Sequence, residues 1–385
     1  MKRNSLRHIL VFLAAALLLS ACGEKATPVS PAPAVPTATA EPLKLRAEAL
    51  LGGMTRREKL CQLLIVRPEA LTGETPVTSA DEKTGAALEK WPVGGIIYSL
   101  DNLVSREQTA AMTDGAENFS RLGLFICADE EGGNVGRLMY KLDTTWVNPM
   151  FTYRSEGADA AYRNALTIGR DMRACRFNTD FAPVADVWTN PENKVIGDRA
   201  YSDDFGEAAE LVAAAVRGFA EAGVISCVKH FPGHGCTVAD THDGAAVSDR
   251  TLAQLREGEL LPFISGIEAG ADMVMIGHFS VPALDSAPAS MSAAVVTELL
   301  RGELQYDGVV VTDGLEMGAL AAYTDGEKCV KCLSAGCDLL LGVADIQGSI
   351  DALERALLDG VLTEGRIDES VLRVLTLKLR RGITE

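Results

Sequence analysis

The chain has 385 residues, 47% of them apolar and only 5% aromatic, with a formal net charge of -17 at pH 7. That length supports one large core or two smaller ones, and the aromatic-poor composition, rich in Ala, Leu, Val and Gly, suits a helix-rich α/β protein better than an all-β sandwich. The negative charge excludes nucleic acid as a natural partner, and any hold on an anionic membrane has to be covalent or apolar.

At the N-terminus, Lys2, Arg3 and Arg7 precede an apolar run at 9–19 that is too short to span a bilayer comfortably. The run leads into Leu19-Ser20-Ala21-Cys22-Gly23. Small residues before a cysteine at that point resemble a bacterial lipobox. The pattern predicts a lipoprotein signal peptide over 1–21, lipidation of Cys22, and an exported chain anchored to the membrane. Residues 22–42 are mostly Ala, Pro, Thr, Val and Ser, which predicts a disordered linker holding a folded domain at 43–385 off the membrane.

Within 43–385, short apolar runs alternate with longer segments of helical period. The runs are 62–66, 95–98, 124–128, 179–182, 225–229, 273–276, 309–312 and 338–341. Helices are predicted at 207–222, 250–270, 292–304 and 368–381, the last with basic residues toward its C-terminus, as the helix dipole prefers. Eight strands alternating with helices predict a single (β/α)8 TIM-type barrel rather than a doubly wound open sheet. Where the polar residues fall points the same way. Asp129 follows the third run, Lys229 and His230 end the fifth, His278 follows the sixth and Asp313 the seventh. Barrel enzymes carry their chemistry at those strand ends.

There are nine cysteines, eight of them beyond Cys22. An even number in an exported chain permits disulfides, but Cys61, Cys127, Cys175 and Cys227 sit in apolar segments that read as buried, where a thiol behaves as a small hydrophobe. Cys329 and Cys332 have CxxC spacing without a second pair, in a helical-looking segment.

Four of the five histidines, His230, His234, His242 and His278, follow the fifth and sixth runs. In Asp240-Thr241-His242, residues two apart in an extended stretch face the same side, so the carboxylate accepts the imidazole proton and orients the ring for acid/base work. His230, His234, His242 and Asp240 are also zinc-ligand types, but Pro232 and Gly233 break the helix that an HxxxH site needs. Gly233, Gly235 and Gly244 bracket this segment, which predicts a loop that closes over substrate.

The stretch Lys229-His230-Phe231-Pro232-Gly233-His234-Gly235, followed by Asp240-Thr241-His242, resembles the signature of bacterial β-N-acetylglucosaminidases of glycoside hydrolase family 3. Asp129-Glu130-Glu131-Gly132-Gly133-Asn134-Val135, the segment Asp180-Phe181-Ala182-Pro183-Val184-Ala185-Asp186-Val187, and Val195-Ile196-Gly197-Asp198-Arg199 resemble further family segments. So do Pro288-Ala289-Ser290-Met291-Ser292 and Val310-Val311-Thr312-Asp313-Gly314-Leu315-Glu316-Met317. The likeness runs in order over 43–385.

The resemblance implies a retaining, exo-acting enzyme that removes terminal β-linked N-acetylglucosamine without metal or cofactor. It assigns Asp313 as nucleophile, His242 as acid/base and Asp240 as its orienting partner. Asp129, Arg137, Arg199, Lys229 and His230 become the donor-sugar pocket. Relatives acting on glucosides or xylosides usually draw the acid/base from a second domain, so the Asp-x-His loop favours N-acetylhexosaminides. Asn134 stands where many relatives have Arg. Trp188, after the fourth run, suits either sugar stacking or packing. Three alternatives are a phosphorylase on the same scaffold, since a neutral histidine does not repel phosphate, a sugar-binding lipoprotein without catalysis, and a metal-dependent hydrolase.

Overall fold

A computed structural model describes residues 37–242 and 244–385, with side chains from residue 42 onward. The signal peptide at 1–21, the lipobox cysteine Cys22 and most of the linker lie outside the described residues.

All eight apolar runs contain strands, and the strands form one parallel sheet that curls into a barrel. They are β1 Leu64–Val66, β2 Gly95–Ile97, β3 Phe125–Ala128, β4 Thr179–Asp180, β5 Ile225–Phe231, β6 Met273–Ile276, β7 Val309–Thr312 and β8 Leu340–Leu341. Each pairs with the next, and β8 pairs with β1 through Leu64 and Leu340. A parallel bridge between Val311 and Leu339 joins β7 to β8, with the Leu339 N–H donating to Val310 O at 2.9 Å and the Thr312 N–H to Leu339 O at 3.0 Å. The strands read as unbroken apolar runs because they are buried on both faces, by helices outside and by barrel-filling side chains inside.

Local chemistry sets the helix ends. The helix Phe205–Ala222 starts where the Asp204 side chain accepts the Glu207 N–H, and it stops at Gly223, which is left-handed with φ 76°. The helix Glu364–Arg380 is capped by Thr363.

Three readings need correction. The linker does not extend to 42: a helix, Thr37–Gly52, begins inside it. Its Ala47 is buried, and Leu43, Leu50 and Leu51 pack on the core. The single helix expected at 250–270 is two, Leu252–Glu257 and Leu261–Glu268, broken at Gly258. A Cβ at Gly258 would lie 2.7 Å from the Phe205 ring, so the chain turns there with only a hydrogen facing the ring. The segment Ala294–Glu303 is helical but wider than an α-helix, as in the Leu304 N–H bond to Leu299 O at 2.9 Å.

The cysteines from Cys61 onward are free thiols, and all but Cys236 are buried. Cys329 and Cys332 lie in the helix Asp325–Ala335, and burial pushes the Cys329 thiol up to about 12. That spacing therefore serves packing rather than thiolate chemistry.

Candidate active site

The C-terminal ends of the strands surround a cavity of about 370 Å³. Of the residues picked from the sequence, Asp129, Arg137, Arg199, Lys229, His230, His242 and Asp313 all line it. Asp240 does not line it but binds His242.

The floor is an ion network. Lys229, at the end of β5, places Nζ 2.9 Å from Asp129 Oδ1 and 2.6 Å from Glu131 Oε1. Arg199 grips Glu131 with two parallel bonds of 2.9 Å, from Nε and Nη2. Arg137 approaches Asp129 at 3.5 Å. Burial alone would raise the Glu131 carboxyl, but Arg199 and Lys229 hold it far below the usual range. Burial alone would discharge Lys229, but Asp129 and Glu131 keep it charged and raise it above an ordinary lysine. Fixed charges in so dry a place are held because they are paired on several sides.

Asp186 organises two histidines. It accepts the His230 backbone N–H at 3.1 Å and the His234 N–H at 2.6 Å, and it meets His230 Nδ1 at 2.7 Å. Burial works against ionisation of Asp186, but His230 and His234 overcome it and lower its pKa. An ionised carboxylate only accepts, so His230 carries its proton on Nδ1 and turns Nε2 toward the cavity.

Asp313 follows β7. Its N–H donates to Ile276 O at 2.9 Å, and its Oδ1 accepts the Gly314 N–H at 2.8 Å. Burial would raise its carboxyl, yet His230, His278, the Gly314 N–H and Lys229 together carry it below the ordinary range. The group stands ionised in a partly dry site, as a nucleophile requires. His278 is buried behind it, with Nδ1 2.8 Å from Ser290 Oγ and Nε2 3.1 Å from Gly314 O. Burial lowers its pKa, and its Nε2–H donates to the Gly314 carbonyl and braces the turn after Asp313.

His242 arrives on a separate loop and is 65% exposed. Asp240 Oδ1 accepts both the His242 backbone N–H and, from 2.8 Å, its Nδ1–H. Asp240 is lowered: its burial is outweighed by these bonds from His242. The segment is a turn, closed by the Gly244 N–H on Asp240 O at 3.1 Å, rather than the extended stretch expected. The two side chains meet regardless, because both bonds converge on one carboxylate oxygen.

The loop is latched to the segment after Asp313. Thr241 O accepts the Ala319 N–H at 3.0 Å, and His242 O accepts the Gly318 N–H at 3.1 Å. At its base, a Cβ on Gly235 would fall 1.8 Å from Val187 O, so only glycine permits that crossing.

Several residues act here that no sequence pattern singles out. Glu131 stands in a sequence motif without a signal of its own, yet it neutralises both Lys229 and Arg199. Only its alternation with Asp129 hints at a shared face. Asp186 likewise lies in a motif whose pattern does not mark it, although it holds His230 and His234. Arg67, at the end of β1, and Glu316 form a 2.9 Å pair at the mouth, and no motif marked Arg67. Trp188 does not line the cavity. Its ring packs edge-on against Phe151 at 5.2 Å, which is a packing role. Asn134 is exposed.

Comparison with known proteins agrees with this geometry. The model of the glycosyl hydrolase family 3 N-terminal domain matches residues 55–377. Beta-hexosaminidase LpqI of Mycobacterium tuberculosis is 32% identical over 391 residues, covering 97% of each chain. Beta-hexosaminidase A of Pseudoalteromonas piscicida is 31% identical over 335 residues, 79% of this chain, which spans only 56% of that relative's length. A solved family 3 β-N-acetylglucosaminidase from Paenibacillus superposes with a TM-score of 0.81 at 38% identity, over 86% of this chain and 63% of that one. A barrel carrying its ionised aspartate after the seventh strand, beside a histidine-bearing loop, thus matches the family over nearly its whole folded length, and the chain belongs to glycosyl hydrolase family 3.

Proposed function

We propose that the protein is a retaining, exo-acting β-N-acetylhexosaminidase that hydrolyses terminal β-linked N-acetylglucosamine from oligosaccharides such as peptidoglycan fragments. One observation carries the reading: an ionised Asp313 and a His242 held by Asp240 come from different loops to line a single cavity. The relatives named β-hexosaminidase and β-N-acetylglucosaminidase support the choice of sugar.

In the first step the Asp313 carboxylate attacks the anomeric carbon while His242 Nε2–H protonates the departing glycosidic oxygen. The bond between that carbon and oxygen breaks as the ester bond to Asp313 forms. In the second step the neutral His242 takes a proton from water, and the oxygen of that water displaces Asp313 from the anomeric carbon. Asp240 keeps the Nδ1 proton in place and stabilises the imidazolium that donates in the first step and re-forms in the second. Asp129 and Lys229 offer an acceptor and a donor to sugar hydroxyls. Arg137, Arg199 and the Nε2 of His230 complete the donor pocket.

The lipobox sequence at Cys22 supports an exported enzyme tethered to the membrane by lipid. A Cys22→Ala protein found in the culture medium rather than the membrane fraction would agree with this, and unchanged membrane retention would overturn it.

The activity test is nitrophenol release from 4-nitrophenyl N-acetyl-β-D-glucosaminide by the parent and by its Asp313→Asn and His242→Ala forms. Turnover by the parent and its loss in both variants is the expected result. No turnover by a folded parent would sink the reading. Sugar 1-phosphate as the main product in phosphate buffer would replace the hydrolase with the phosphorylase.

A further inference from the structure

The loop after β3, on the catalytic face, carries two large aromatic side chains that the mechanism does not use. Tyr140 is 47% exposed and Trp146 is 55% exposed. Their rings meet edge to face, with centroids 5.4 Å apart and planes at 89°. A contiguous exposed aromatic surface costs solvation and is uncommon without a use. These rings are also fixed. The Tyr140 hydroxyl donates to Gly133 O at 2.8 Å, and Trp146 Nε1–H donates to Asn148 Oδ1 at 3.1 Å.

The pair is joined to the cavity wall through one backbone turn. The Gly133 N–H donates to Val147 O at 2.8 Å, tying the turn to the strand of chain that bears Trp146. The same turn, bridged between Gly132 and Val135, delivers Val135 and then Arg137 to the cavity wall.

We infer that Tyr140 and Trp146 form a stacking platform for the sugar units beyond the scissile bond, so that the enzyme favours β-linked oligosaccharides longer than a disaccharide. This rests on the hexosaminidase reading for the identity of the chain being cut. A β-linked pyranose presents a flat face of C–H groups with hydroxyls around its edge. A rigid aromatic face rimmed by hydrogen-bonding groups is its complement, and exposed Asn134, Lys141 and Asn148 supply that rim. The polar rim and the locally satisfied Tyr and Trp heads set this patch apart from a dry protein–protein core. Prefixed rings also lose little conformational freedom on binding.

The test compares kcat/KM for N-acetylchitobiose and N-acetylchitotetraose. The parent is expected to favour the tetramer by about tenfold, a difference of the size that aromatic stacking supplies. Trp146→Ala should bring that ratio close to one, and Trp146→Phe, which restores an aromatic face, should recover most of it. A parent with no preference, or a preference that survives Trp146→Ala, overturns the inference.

Fluorescence gives a second readout that needs no turnover. Of the three tryptophans, Trp91 is buried and Trp188 is half-buried against Phe151, so Trp146 dominates any change at the surface. Titrating Asp313→Asn with chitotetraose should shift the emission, and adding Trp146→Phe should abolish the shift. If the parent hydrolyses neither oligosaccharide, the hydrolase reading fails, while the emission shift still decides the platform.

Discussion

Two buried lysines sit at opposite ends of this barrel and carry opposite electrostatics. Lys229, only 3% exposed at the catalytic end, lies against two carboxylates and stays charged. Lys378, wholly buried at the other end, has neutral partners: Nζ meets Gln62 Oε1 at 2.9 Å and Gly123 O at 2.8 Å, over the Phe125 ring. Burial pulls its pKa down to about 7, against a weak opposing pull from Glu117. Equal burial therefore does not produce equal chemistry. The catalytic end holds its charges ready for a polar ligand, whereas the opposite end tolerates a lysine that gives up its proton near neutral pH.

The largest expected effect tests the catalytic end directly. Asp313→Asn should fold as the parent does and lose about 10⁴-fold or more in kcat, measured by nitrophenol release. His242→Ala should lose about 10²- to 10⁴-fold in kcat, with denaturant stability within about 0.5 kcal/mol of the parent, because the residue is exposed and bound chiefly to its own loop. A large stability loss there would mean that the loop latch, not the proton transfer, is what His242 supplies.

Lys229→Met strikes activity and fold together. It leaves Asp129 and Glu131 short of a cation in a buried site, and urea unfolding should show a loss of about 3–5 kcal/mol. A loss below about 1 kcal/mol would show that Arg199 and Arg137 suffice.

Lys378→Met should leave kcat unchanged and alter only the pH dependence of stability. The unfolded chain binds a proton at this lysine below pH ~10.4, whereas the fold binds it only below about 7. Between those values the unfolded state holds one more proton, so raising the pH stabilises the fold by about 1.4 kcal/mol per unit. The variant should flatten that slope in urea titrations from pH 7 to 10. An unchanged slope would show that Lys378 is protonated in the fold throughout.

Much of this architecture was legible in the sequence because it depends on local period and on residue type. Buried strands need short apolar runs, so the eight runs located the eight strands, and barrel chemistry at strand ends pointed to Asp129, Lys229, His230 and Asp313. The spacing of Asp240 and His242 was enough to pair them, since a contact two residues apart needs no tertiary partner.

What lay beyond reach depends on chain segments that meet only when the barrel closes. Glu131 became central because Lys229 and Arg199 converge on it from 98 and 68 residues away. Arg67 meets Glu316 only because β8 brings β7 back toward β1. From sequence, the basic end of the last helix is a simple match to the helix dipole. In the fold, Arg380 and Arg381 bind the buried Asp272, and Lys378 sits inside the barrel floor. Sequence determined which side chains stand at which strand ends. Tertiary structure decided their ionisation, since a charge in a dry interior is set by the partners that folding brings within a few ångströms.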